Sequence, residues 1–173
     1  DQSADIMVFE HSHDPLLRSH LGITNDGQWL LLWEGKGSKT NGLQVLSVEH
    51  TVKWLEDEGR EGILNFEPLI PDGLARHSAV DYINDKFYTW TNYESPRGRL
   101  VAIDPEEPST EAWVDIIPEG DGVIDRVSHF GGQLFVEQMV DATSRLYRYD
   151  YEGSQLDAIE LPGLGSLGAL RGK

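Results

Sequence analysis

NDGQWLLLW (25–33) sets a turn-forming dipeptide directly before an aromatic and apolar run, and the same order returns in NDKFYTWTN (84–92) and GGQLFVEQM (131–139). Asn-Asp, Asp-Gly and Gly-Gly tolerate the left-handed backbone that a tight hairpin turn demands, so each stretch reads as the turn and second strand of a β-hairpin. The turn onsets lie 59 and 47 residues apart. A third strand then begins near Leu43, Leu100 or Leu146, and a fourth is expected around Trp54, Trp113 or Leu156. Four short antiparallel strands recurring every 45 to 60 residues are the pattern of β-propeller blades.

The rest of the chain supports an all-β reading. Period-2 alternation and β-branched or aromatic enrichment recur throughout, and no stretch of ten or more residues offers a clear helical apolar stripe. The expected fold is a propeller fragment of about three four-stranded antiparallel blades over 21–69, 76–118 and 123–162, with flanking strands at 5–10 and 164–170. Residues 52–55 are expected as the fourth strand of the first blade, and the acidic loop EDEGREG (56–62) as the source of that blade's extra length. A β-sandwich also uses many short strands, but it does not require one four-strand unit three times over.

Composition narrows the partners. Thirty acidic against fourteen basic residues leave a net charge of -16, which repels nucleic-acid backbones and anionic lipid surfaces. No apolar run reaches the roughly 20 residues of a membrane-spanning helix, so no membrane partner is expected. The chain has no cysteine, which excludes disulfides, thiolate ligands and cysteine nucleophiles. The cytoplasm is the expected compartment, although the periplasm suits a cysteine-free chain equally.

Several motifs invite a chemical reading and fail it. Gly163, Gly165 and Gly168 spell G-x-G-x-x-G, yet only five residues follow, too few for the helix and acidic partner of a dinucleotide site. Those glycines are expected instead on an innermost strand, where small residues let backbones pack closely. Ser166 lacks the preceding glycine of G-x-S-x-G. His11, His13, Asp14 and His20 could ligate zinc, but nothing downstream supplies matching ligands. The pairs Asp57/Glu58 and Glu106/Glu107 lie in polar turns, where no burial is expected to raise a carboxyl pKa. Trp29, Trp33, Trp90, Tyr147 and Tyr149 sit on alternating strand positions, the placement of packing residues more than of a sugar platform. No cofactor and no metal are expected.

The residues do resemble a known family. ITNDGQWLLL (23–32), TNYESPRGRLVAIDPEEP (91–108), EAWVDIIPE (111–119) and the stretch from Gly131 to Ser166 resemble the propeller domain of prolyl oligopeptidases. The most specific element is T-N-x-x-x-P-R-x-R-L, carried by Thr91, Asn92, Pro96, Arg97, Arg99 and Leu100, followed by W-x-x-I-I-P-E from Trp113 to Glu119. The resemblance implies a serine endopeptidase of short proline-containing peptides, in which a seven-bladed propeller gates an α/β-hydrolase domain bearing the catalytic triad. It also implies that this chain covers about half of such a propeller and none of the hydrolase domain, so no catalytic residue is assigned and the chain alone is expected to be inactive. Two substrate-facing candidates follow: Ser38 in the loop EGKGSKTNG (34–42), and Arg18 where the family often has an apolar side chain. The expected partners are the hydrolase domain and short peptides of a parent enzyme, and a homo-oligomer that covers bare blade faces. A free-standing propeller-repeat binding module is the alternative.

Overall fold

At Asn84–Asp85, Gly131–Gly132 and Asp141–Ala142 the backbone turns on two successive residues with positive φ, between +49° and +75°. This is the turn whose twist matches that of the strands it joins. It fixes the hairpin registers directly: Ile83 faces Lys86, Phe130 faces Gln133 and Val140 faces Thr143. In this computed structural model, which describes residues 6–10, 14–57, 61–168, 170 and 172, the strands form three four-stranded antiparallel sheets, each meandering in chain order. The chain divides into two compact units, residues 1–74 and 75–173.

The first unit holds β1 (Leu17–Ile23), β2 (Trp29–Lys36), β3 (Gly42–Ser47) and β4 (Glu67–Ile70). Its N-D-G turn is closed by Asp26, whose carboxylate accepts from the Thr24 hydroxyl at 2.6 Å and the Gln28 amide at 2.9 Å. Gly27 sits at φ +72°, in the left-handed region open to glycine. Leu32 and Leu43 are buried on the sheet. β1 starts at Leu17, four residues before the predicted blade begins.

The predicted fourth strand at 52–55 is a correction. Those residues lie in α1 (Val48–Glu56), and the fourth strand is β4. Ser47 caps the helix by accepting from the His50 amide, and Glu49 pairs with Lys53 one turn on. Val48, Thr51 and Trp54 are half-buried at three-residue spacing, while no helix residue is fully buried. So shallow a stripe is easily taken for strand alternation over the Val52–Trp54 pair. The added length of this repeat therefore comes from α1 as well as from the acidic loop after it.

The second unit carries two sheets: β5 (His77–Ile83), β6 (Lys86–Thr91), β7 (Arg99–Ile103) and β8 (Val114–Ile117), then β9 (Val123–Phe130), β10 (Gln133–Val140), β11 (Thr143–Tyr149) and β12 (Gln155–Ile159). A single 3₁₀ turn, Thr110–Ala112, precedes β8. The two sheets share one core, in which Tyr88, Leu100, Ala102 and Ile117 join Ile124, Leu134, Val136 and Tyr149. Leu100, Leu134 and Val136 are wholly inaccessible to solvent. Burial of several such side chains, each worth about 1.5–3 kcal/mol, is what holds the two sheets together.

Neither predicted flanking strand forms among the described residues. Val8 accepts one backbone hydrogen bond from Leu64, and Phe9 meets Phe66 edge-on. Near the other end, Gly165 accepts from the Ser144 amide, and the Leu167 amide donates to the Ser144 hydroxyl. Gly163, Gly165 and Gly168 open no helix, and none of the three has a positive φ. No helix among the described residues is long and apolar enough to cross a membrane.

Candidate functional site

The segment T-N-x-x-x-P-R-x-R-L folds as a clamp between the two sheets of the second unit. Thr91 ends β6 fully buried, and its hydroxyl accepts from the Tyr93 amide. The Asn92 side-chain oxygen accepts from the Arg76 amide at 2.8 Å, tying the start of β5 to the end of β6. Gly98 turns the chain at φ +82°, so close under Trp90 that an added Cβ would lie 2.5 Å from the indole nitrogen. That nitrogen donates to the Ile124 carbonyl on β9 at 3.0 Å, and the Ile124 amide donates to the Arg97 carbonyl at 2.7 Å. Glu119, the last residue of the W-x-x-I-I-P-E phrase, accepts from the Arg97 amide at 2.6 Å. Arg99 reaches across to Asp115 on β8. The nitrogen side of the indole is thus held by the close glycine and by a carbonyl of the neighbouring sheet.

Beside this clamp the two sheets part and leave a polar cavity of about 510 Å³, lined by Arg76, Ser78, Trp90, Asn92 and Pro96 on one side and by residues 123–127 of β9 on the other. Its volume falls within the usual range of small-ligand sites. Arg76, Ser78 and Asp125 are exposed there, and none has a hydrogen bond or ion pair from its side chain among the described residues.

A second polar cluster joins the same two sheets. His129 on β9 lies between Asp81 on β5, at 2.5 Å from Nδ1, and the Tyr151 hydroxyl, at 2.7 Å from Nε2. Asp81 is almost wholly buried, and its other oxygen accepts from the Tyr82 amide. A carboxylate only accepts, so Nδ1–H donates to Asp81, while Nε2 faces the Tyr151 hydroxyl. Burial, reinforced by the Asp81 charge, pushes the Tyr151 phenol pKa up, so it stays protonated and a donor at neutral pH. The Tyr88 hydroxyl donates to the Tyr151 carbonyl at 3.0 Å. The arrangement has the base and orienting carboxylate of a hydrolytic triad, but the third position is a phenol held neutral. It serves as a brace between sheets, with no activated nucleophile.

The two sequence-derived candidates fall on the first unit. Arg18 is exposed on β1 opposite Gly35, and Ser38 is exposed in the loop between β2 and β3. Both therefore stand at the end of that sheet where β1 starts and β2 finishes, next to the ion pair of Lys36 with Asp14. Neither belongs to the polar cavity. His11 and His13 lie outside the described residues, as does Glu58; Glu106 and Glu107 are exposed in their turn. Among the described residues no cluster of three or more metal-ligating side chains occurs. The cavity itself was not legible beforehand. Asn92 and Pro96 were marked by the family segment, but their partners on β9 lie some 30 residues downstream, and only sheet packing brings them together.

Residues 1–173 match the family model of the prolyl oligopeptidase N-terminal β-propeller domain. The chain is 25% identical over 174 residues to a prolyl endopeptidase of Elizabethkingia meningoseptica, and 26% identical to one of Elizabethkingia miricola. In each case the match takes in 99% of this chain and 23% of the relative, so the chain spans about a quarter of the length of the curated relatives it matches. A solved chain from a structural and mechanistic analysis of two prolyl endopeptidases superposes with a TM-score of 0.73 at 26% identity, over 88% of this chain and 21% of that one. Apo prolyl oligopeptidase B from Galerina marginata gives 0.78 at 22% identity, over 95% of this chain and 22% of its own, a likeness of fold.

Proposed function

The chain belongs to the prolyl oligopeptidase N-terminal β-propeller domain family, and from that premise we propose that it is the non-catalytic propeller portion of a serine endopeptidase acting on short proline-containing peptides. Its role is to gate substrate entry to an α/β-hydrolase domain, which supplies the nucleophile, the base and the oxyanion hole. The observation that carries this reading is the clamp. The family segment, together with Trp90 just before it, holds one sheet to the next through Arg97 and Gly98. His77 is also a poor base, since burial pushes its pKa down to about 4, and both His129 nitrogens are engaged by Asp81 and Tyr151.

Two measurements test it. The 173-residue chain should not turn over a fluorogenic proline peptide; steady cleavage copurifying with the 19.4 kDa species would defeat the non-catalytic assignment. Joined to a family hydrolase domain, it should favour short peptides over folded or long substrates. Equal kcat/KM for a decapeptide and a 60-residue polypeptide would remove the gating role.

Purified by itself, the chain should self-associate. Leu16, Leu21, Ile23 and Leu164 are 71%, 61%, 58% and 89% exposed, apolar area of the kind that seeks cover. Light scattering coupled to size exclusion at physiological salt checks this, and a monodisperse monomer across micromolar concentrations overturns it.

A further inference from the structure

We propose that the polar cavity beside the clamp captures the C-terminal carboxylate end of a short peptide, with Arg76 as the carboxylate-binding residue and Asp125 as acceptor for the peptide's N–H groups. The assignment rests on the cavity alone and stands whether or not the parent protein is a protease. Three observations point to it. The cavity of about 510 Å³ is walled by two sheets that the Trp90–Ile124 and Arg97–Ile124 hydrogen bonds hold together, so it is preformed. Arg76 lines it with no acceptor for its guanidinium among the described residues, although its backbone N–H and C=O are fixed by Asn92. A guanidinium rooted in a fixed backbone and free at its tip is suited to bidentate carboxylate binding. Ser78 and Asn92 add hydroxyl and amide donors on the same wall.

The chemistry of the opposite wall selects the ligand class. Asp125 carries a negative charge with no donor assigned to it, in a chain of net charge -16. Asp125 opposes a simple anion, and Arg126 on the same wall lies 4.0 Å from the buried Glu137 carboxylate. A peptide terminus brings a carboxylate for Arg76 and, a few ångströms along its backbone, N–H donors for Asp125. Pro96 and the Trp90 ring supply the apolar surface against which the peptide side chains lie.

The test uses the 173-residue chain labelled with ¹⁵N and four probes: N-acetyl-trialanine as the free acid, the same peptide as its C-terminal amide, N-acetyl-Glu-Ala-Ala-amide, and acetate. The free acid should give saturable shifts at the Trp90 indole N–H and at the Ser78 and Asn92 amides, while the other three give none at equal concentration. R76Q, whose spectrum reports that the fold is kept, should weaken free-acid binding about tenfold or more, as expected for a charge-assisted pair. R145Q, an exposed charge outside the cavity, should leave it unchanged. D125N should weaken free-acid binding and let acetate in. Equal shifts from acid and amide, binding of the glutamyl amide in place of the free acid, acetate binding to the unaltered chain, unchanged affinity in R76Q, or no shift at millimolar peptide would each overturn the proposal.

Discussion

Gly98→Ala strikes the clamp at the point where backbone strain and side-chain contact coincide, and its cost can be assembled from the structure. The residue holds φ +82°, where an L side chain costs about 1–2 kcal/mol. The new methyl would lie 2.5, 2.9 and 3.1 Å from Nε1, Cε2 and Cζ2 of Trp90, so the indole has to move. Moving it breaks the 3.0 Å hydrogen bond to the Ile124 carbonyl, worth about 1 kcal/mol. The sum is about 2–3 kcal/mol. In a Trp90→Phe background the indole nitrogen and the crowded ring atoms are already gone, and Gly98→Ala should then cost only the backbone term, about 1–2 kcal/mol. The double-mutant cycle should show a coupling of about 1 kcal/mol, the lost indole hydrogen bond. Urea unfolding followed by far-UV circular dichroism measures the four species, and hydrogen exchange at the Ile124 amide, bonded to Arg97, reports whether the clamp opens locally. Additive costs, with Ile124 protection unchanged in Gly98→Ala, would refute the clamp.

Further outcomes follow from the same contacts. Gly153→Ala should cost about 3–4 kcal/mol in urea unfolding, because the residue sits at φ +83° and its Cβ would lie 1.8 Å from the rigid Ile116 carbonyl oxygen. Gly37→Ala, at φ +80° in open space, should cost only the backbone term of about 1–2 kcal/mol in the same assay. Burial lowers His77 from 6.5 to about 4, so the unfolded chain takes up this proton first as pH falls. Its contribution is intact above pH 6.5, is lost progressively down to about 4, and is flat below; the total is about 3 kcal/mol. His77→Phe should flatten that part of the stability–pH curve, and an unchanged acid slope would show that the ring is not held neutral. Tyr151→Phe removes the hydroxyl 2.7 Å from His129 and should lower stability by about 1 kcal/mol in thermal or urea unfolding, with no loss of fold by circular dichroism.

The hairpins were legible because their causes are local. Asn84–Asp85 and Gly131–Gly132 announce positive φ by residue type, and the apolar and aromatic runs after them alternate as strands do. Those features determined the all-β class and the three repeats, while the family resemblance rested on the T-N-x-x-x-P-R-x-R-L segment and the W-x-x-I-I-P-E phrase that follows it. α1 was missed because its buried face is only Val48, Thr51 and Trp54 deep, and a stripe so shallow carries almost no periodic signal. The flanking strands were over-read for the opposite reason: an apolar stretch such as 164–168 satisfies a strand pattern, but a strand needs a ladder of partners, and among the described residues Ser144 supplies two hydrogen bonds and no ladder. What the tertiary structure alone decided is everything built across sheets. Trp90 finds Ile124, Asp81 finds His129, and Arg76 comes to share a cavity with Asp125, across separations of 34, 48 and 49 residues. No local rule encodes such pairs, since their partners are chosen by which faces of two twisted sheets bury the common core around Leu100, Leu134 and Val136.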